Sequence, residues 1–202
     1  MSKKPPAQHE NVSACGFREA DLDTARVHDV FIQLMRAAVS MGISDADIES
    51  LKALAAGGDN ARFLRQSIAG LTMTYRDWLK LGNERHHMRL KFNAFFRDYD
   101  VLLCPVVASA AYPHDHTQDG MRWRRRIAVN GKEVPETDRF FWAGYAGLVY
   151  LPSTVGPAGL TRSGLPVGYQ AITAQGRDKT SLAFAKLVEK AFGGFTPPPG
   201  YD

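Results

Sequence analysis

The chain has little cysteine and no long apolar run, and these two shortages set its class. Cys15 and Cys104 are the two cysteines in 202 residues, and their spacing suggests neither a disulfide framework nor a zinc site. A reducing compartment is the default for such a chain. No apolar stretch approaches the roughly 20 residues needed to span a bilayer. The basic start at Lys3 and Lys4 has no apolar run behind it, so it does not read as a signal peptide. The expectation is a soluble, cytoplasmic protein with no membrane partner. Charge of one sign is scarce too, since 25 basic against 21 acidic residues leave +4. Nucleic-acid binding normally shows a strongly basic domain, so no nucleic acid is expected as a partner. Three motifs are also missing: a Gly-x-Ser-x-Gly elbow, a phosphate loop ending Gly-Lys-Ser/Thr, and a Gly-x-Gly-x-x-Gly turn after a strand. Their absence removes the commonest routes to a serine hydrolase of the elbow type, a nucleotide hydrolase and a dinucleotide enzyme.

What is present is ordinary globular material, 45% apolar and 23% charged, and long enough to bury its own core. Residues 1–20 are polar and read as a flexible tail, residues 21–194 as the folded body, and 195–202 as a Pro-rich tail. From Thr24 the spacing is helical, with Val27, Val30, Phe31, Leu34 and Ala38 on one stripe closed by Gly42. Ser44 is placed to cap a second helix carrying Ile48, Leu51 and Leu54, with Gly57 and Gly58 as its stop. A weaker third segment holds Phe63, Leu64 and Ile68. Thr74 and Asp77 form an imperfect capping box for a longer helix, along which Trp78, Arg85, Met88, Phe92 and Phe95 recur up to Asp98.

The second half changes character. Residues 101–107 form a continuous valine-rich run that suits a strand buried on both faces. Asn130-Gly131 between short apolar pieces predicts a hairpin. Asp138 is expected to cap a helix containing Phe141, Trp142, Tyr145 and Leu148. Two strands are then expected, at Ser153–Val155 and Val167–Ala174, joined by a loop punctuated by Pro157, Gly159, Gly164 and Pro166. Asp178 is expected to cap a last helix whose inner face holds Phe184, Leu187, Val188, Ala191 and Phe192, ended by Gly193 and Gly194. Helices first, then strands with helices on them, give an α/β class.

Few residues offer chemistry. His114, Asp115 and His116 put two imidazoles and a carboxylate in one loop. A metal needs a further ligand, which His86 and His87 do not provide, because neighbours on a helix point about 100° apart. The motif therefore reads as a solvated or structural loop, with no metal and no cofactor expected. Residues 122–126, Arg-Trp-Arg-Arg-Arg, are the one dense basic run; a charged loop or a local contact with an anion or partner fits it better than a nucleic-acid surface. Ser153, Ser163 and Ser181 lack the surroundings of an elbow nucleophile. Cys104 lies in an apolar strand, where a thiol normally serves packing. Trp142 and Tyr145, one helical turn apart, are candidate lining for a substrate pocket, and the same spacing also makes an ordinary inner helix face.

Three blocks carry a family resemblance. They are Asp100-Val101-Leu102-Leu103-Cys104-Pro105, Leu151-Pro152-Ser153-Thr154-Val155-Gly156-Pro157-Ala158-Gly159, and Gly164-Leu165-Pro166-Val167-Gly168-Tyr169-Gln170 followed by a helix from Asp178. In order and spacing they resemble the C-terminal part of amidase-signature amidohydrolases, and Tyr75–Leu79 and Trp142–Gly144 are similar to the same group. The likeness runs from about Phe17 to Phe192. It implies the later part of an α/β/α mixed-sheet fold and, for the parent enzyme, hydrolysis of a carbon–nitrogen amide bond. The family's chemistry uses a lysine, a serine in a cis peptide and a nucleophilic serine, in a Ser/Gly-rich signature that this chain lacks. Lys3 and Lys4 lie in a polar tail, so no catalytic residue carries over. Ahead of Leu151-Pro152, where many relatives have Asn, this chain reads Gly144-Tyr145-Ala146-Gly147-Leu148.

The resemblance implies a small-molecule amide as substrate of the complete enzyme. It also implies an N-terminal half or a partner chain beside the run at 101–107. Without that neighbour an open sheet edge invites self-association. The isolated chain is expected to be inactive, and the alternative role is a non-catalytic remnant or assembly module that pairs with another chain.

Overall fold

In the computed structural model, residues 23–56, 61–114, 116 and 125–201 are described. Four helices come first: α1 (Thr24–Ala38), α2 (Asp45–Ala55), α3 (Ala61–Leu71) and α4 (Tyr75–Asp98). The caps follow local chemistry. Asp23 accepts from the Arg26 amide ahead of α1, Ser44 and Asp47 close a full capping box on α2, and Thr74 accepts from the Asp77 amide to start α4. Residues 57–60, which include the expected glycine stop, lie outside the described residues.

The strands and the last two helices follow: β1 (Leu102–Pro105), β2 (Arg126–Val129), β3 (Lys132–Pro135), α5 (Phe140–Leu148), β4 (Ser153–Leu160), β5 (Pro166–Ile172) and α6 (Asp178–Phe192). β2 and β3 form the hairpin expected at Asn130-Gly131, where φ of 51° and 75° supply the two left-handed positions of a primed turn. The main sheet has the order β1–β5–β4, and both pairings are antiparallel.

One face of that sheet meets the helices. Leu102, Cys104 and Ile172 join Val30, Met88, Phe92, Tyr145, Leu148 and Val149 in a single buried cluster. α1 and α5 approach closely because Gly144 has no side chain; a Cβ there would come within 2.8 Å of the Phe31 ring. The opposite face carries α6, tied to β4 by a 2.8 Å hydrogen bond from Thr154 Oγ1 to Ser181 Oγ. Ala171, between them, is fully buried. Helices thus lie on both sides of the sheet, the α/β/α arrangement that the family resemblance implies.

Five expectations need correction. The run at 101–107 yields only a four-residue strand with alternating exposure, because α6 covers β4 and β5 and leaves Leu103 of β1 39% exposed. Pro157 and Gly159 lie inside β4 rather than in the loop; a register shift between them absorbs the irregularity, and an edge strand tolerates the missing proline N–H. The turn proper is 161–165. Asp138 does not cap α5. Residues Glu136–Arg139 form a 3₁₀ turn, anchored by the Glu136 amide donating to the Arg125 carbonyl at 3.0 Å, so the chain is already coiled where a cap would sit. Asp178 is the first residue of α6 rather than its cap, although a carboxylate in that turn still complements the helix dipole. Finally, Leu187 and Phe192 on α6 are 65% and 77% exposed, so the expected inner stripe is only partly covered. Gly193, at φ 90°, does end that helix.

Candidate functional site

The aromatic pair of α5 stands against β5. Tyr145 is buried at 3% exposure and meets Phe92 edge-on, with ring centroids 6.1 Å apart. Trp142 is half-buried and lies over Tyr145 at 5.8 Å with the rings nearly parallel. Gln170 joins this helix to the sheet. Its Nε2 donates to the carbonyls of Pro105 at 2.9 Å and Trp142 at 3.1 Å, while its Oε1 accepts from Ser153 Oγ at 3.1 Å. One buried amide therefore fixes β1, β4, β5 and α5 relative to each other. Periodicity alone gave no sign of it, since a glutamine in a strand reads as a surface residue.

The three serines weighed in the sequence, none of them expected to be a nucleophile, are held in other contacts. Ser153 serves Gln170, and Ser163 hydrogen-bonds Thr161 at 2.9 Å. Ser181 donates to the Asp178 carbonyl at 2.8 Å. Cys104 is buried in β1. His86 and His87 are exposed on α4 and do not converge; His87 Nδ1 lies 2.9 Å from the Asn83 carbonyl. Among the described residues no group of three or more His, Cys, Asp or Glu is placed to hold a metal. No helix among them is long and apolar enough to cross a membrane.

A second cluster forms beside the β2–β3 hairpin. Tyr112 Oη donates to Glu136 Oε1 at 2.5 Å and accepts from Arg139 Nη1 at 2.8 Å, and Arg139 Nη2 stands 3.1 Å from the same carboxylate oxygen. Glu136 is only 2% exposed, so the pair is a buried one held by a phenol. Burial, then the bond to Glu136, pushes the Tyr112 hydroxyl above its usual range. In front of this cluster opens a cleft of about 440 Å³, which takes in His114, His116, Arg125 and Arg139. The imidazoles of His114 and His116 are 5.8 Å apart. Asp115 and residues 117–124, which hold most of the basic run, lie outside the described residues.

The family model for Amidase matches residues 25–182, from α1 into α6. The chain belongs to the amidase family. A curated relative, fatty-acid amide hydrolase 2-A of Danio rerio, is 42% identical over 59 residues, which are 29% of this chain and 11% of the relative. A solved structure described as an amidase superposes with a TM-score of 0.60 at 24% identity, covering 85% of this chain and 36% of that one. A bacterial aryl acylamidase of the amidase-signature family gives a TM-score of 0.58 at 19% identity, covering 85% of this chain and 35% of its own. At such identities the two structural likenesses speak for the fold. This amidase-family chain therefore spans about a third of each solved neighbour, and its matched stretch a ninth of the curated relative.

Proposed function

We propose that the chain is the C-terminal region of an amidase-signature amidohydrolase, acting on a small-molecule amide through an acyl-enzyme. In this reading its sheet and helices complete the fold and wall the acyl pocket. The nucleophilic serine, the cis-peptide serine and the lysine come from a segment outside these 202 residues, either elsewhere on one polypeptide or on a partner chain. One observation carries the reading. The family match runs through almost the whole folded body, here taken as residues 21–194, while no Ser/Gly-rich signature occurs anywhere in the sequence. The commitments of Ser153, Ser163 and Ser181 to hydroxyl, amide and carbonyl partners support the same division of labour, since a nucleophile needs an adjacent base.

Within the pocket wall, Trp142 is the contact residue and Tyr145 its buried support. The outer edge of β1, with Leu103 and Val107 exposed beside it, is where the signature-bearing segment adjoins. When that segment is absent the same edge pairs with a second copy. A reducing cytoplasm is the compartment proposed for the complete enzyme.

The test has two arms. The purified chain is assayed for ammonia or amine release from simple amides, and then co-expressed with whatever Ser/Gly-rich segment is encoded in frame or beside it. Hydrolysis is expected only in the combined preparation, with Trp142→Ala altering KM there. Turnover by the chain alone that disappears on Ser153→Ala, Ser163→Ala or Ser181→Ala would overturn the reading.

A further inference from the structure

The segment after α6 is a sequence feature that the amidase reading leaves without a role. It runs Phe195-Thr196-Pro197-Pro198-Pro199-Gly200-Tyr201. Prolines cannot donate a main-chain hydrogen bond, and each fixes its own φ near the polyproline II value. Each also keeps the residue before it out of the helical region, so Thr196, Pro197 and Pro198 are held extended. The fold agrees with this local chemistry. Residues 193–198 form neither helix nor strand, and a turn follows at 199–200.

The turn is closed by the Tyr201 amide, which donates to the Pro198 carbonyl at 3.1 Å, with Gly200 at a φ of 85°. Pro199 cannot take positive φ, so positive φ at Gly200 alone makes the turn type II, for which Pro and Gly are the preferred central pair. The tyrosine is thereby set at a fixed place beside the proline triplet. Its side chain is free to be met, since Tyr201 is 80% exposed. Among the described residues, no hydrogen bond or ring contact ties residues 195–201 to the helices or the sheet.

The chemistry of a partner follows from this shape. A polyproline ridge offers flat apolar rings and unpaired carbonyls, and it is extended before binding, so docking costs it little entropy. The surface that suits it is a shallow groove of facing aromatic side chains, with an indole or phenol donor for the carbonyls. One class of such grooves reads Pro-x-x-Pro, a spacing that occurs nowhere in these 202 residues. The order here is Pro-Pro-Gly-Tyr, which calls for a groove that continues into a pocket for a tyrosine ring.

We propose that residues 197–201 are a docking segment for a partner protein bearing a WW-type groove, with the proline pair between its aromatic rings and Tyr201 in the adjoining pocket. This interaction lies outside the amidase reading and stands or falls separately from it.

Fluorescence anisotropy tests the proposal, with the whole chain titrated into a dye-labelled WW domain that reads Pro-Pro-x-Tyr and into a control domain that reads Pro-x-x-Pro. The WW domain is expected to bind at least about tenfold more tightly than the control. Tyr201→Ala is expected to lower that affinity about tenfold and Pro198→Ala about fivefold, while Tyr201→Phe recovers part of the loss. All three variants should keep the parent unfolding midpoint, because these side chains make no hydrogen bond or ring contact with the body. Should Tyr201→Ala not unfold cooperatively, Pro198→Ala is read in its place. WW binding no tighter than the control, or an affinity unchanged in the folded variants, overturns the assignment. So does a sedimentation profile in which Tyr201→Ala turns a dimer into a monomer, since the segment would then be seated on a second copy of the chain.

Discussion

The side-chain amide of Gln170 donates to the main-chain carbonyl of Trp142 at 3.1 Å, joining a strand to a helix 28 residues away in the chain. The same nitrogen also reaches the Pro105 carbonyl. Gln170 is 4% exposed, so this amide stands where water does not replace it.

Gln170→Leu keeps the size of the side chain but leaves the carbonyls of Pro105 and Trp142 without this donor. A buried polar group that loses its partner costs about 1–3 kcal/mol, so the variant should lose at least that much stability. Urea denaturation followed by tryptophan fluorescence checks it. A midpoint equal to that of the parent chain would mean that Gln170 fastens nothing.

Tyr150, just after α5, holds a φ of 61° although it is not glycine. Its ring lies under two cations, Arg85 at 4.7 Å and Arg89 at 5.3 Å. Left-handed backbone costs a side-chain-bearing residue about 1–2 kcal/mol, and the two cation–π contacts offset part of it. Tyr150→Ala and Tyr150→Gly both lose the contacts, and only glycine also loses the strain. The glycine variant should therefore be the more stable of the two by about 1 kcal/mol. Thermal unfolding of the pair reads this difference, and equal midpoints would show that no strain is stored there.

His28 sits half-buried on α1, 5.9 Å from the Phe141 ring. Burial pulls its pKa below the ordinary 6.5, against the opposing pull of Asp138 and Asp29, while Arg62 acts in the same direction as burial. Below pH 6.5 the unfolded chain takes up a proton that the folded chain refuses until lower pH. Stability from this site is therefore complete above that value and is lost as pH falls from it toward the folded pKa. Asp138 works oppositely. Burial raises its pKa from 3.8, so its contribution is present in acid and is lost as pH rises from that value through the folded one. His28→Gln should flatten the rise in denaturation midpoint between about pH 5 and pH 7. A slope unchanged by that substitution would assign the pH dependence elsewhere.

The parts of the fold that were legible in the sequence were those decided locally. Ser44 and Thr74 cap their helices because the orphan amides they bind lie two or three residues away. Asn130-Gly131 makes its hairpin because both residues accept positive φ. Asp138 and Asp178 have the right chemistry for caps, but neither sits at the cap position. The 3₁₀ turn Glu136–Arg139 runs directly into α5 at one site, and Arg177 occupies the cap position at the other. The valine-rich run at 101–107 reports hydrophobicity, and periodicity does not say which neighbour covers it. In this chain α6 stops short of Leu103.

The candidate sites divide in the same way. Trp142 and Tyr145 lie on one helix face, as their spacing said, and that spacing is shared by core and pocket alike. The cleft beside the hairpin depends on Arg139 meeting Arg125 and two histidines from another loop, a juxtaposition made only by the hairpin and the 3₁₀ turn. No period in the sequence marks it.

β5 lies at the middle of the sheet, and its Gln170 bonds to a β1 residue 65 positions earlier. During synthesis β1 therefore emerges long before its only strand neighbour among the described residues has been made. Its apolar residues wait in an unpaired state while α5 and the β4–β5 hairpin are completed. Sheet assembly is then a late event on this chain, closed from the C-terminal side. A ribosome stalled before Gly164 would hold the helices before β5 and two strands, β1 and β4, whose shared partner has not been made, the form most exposed to chaperones.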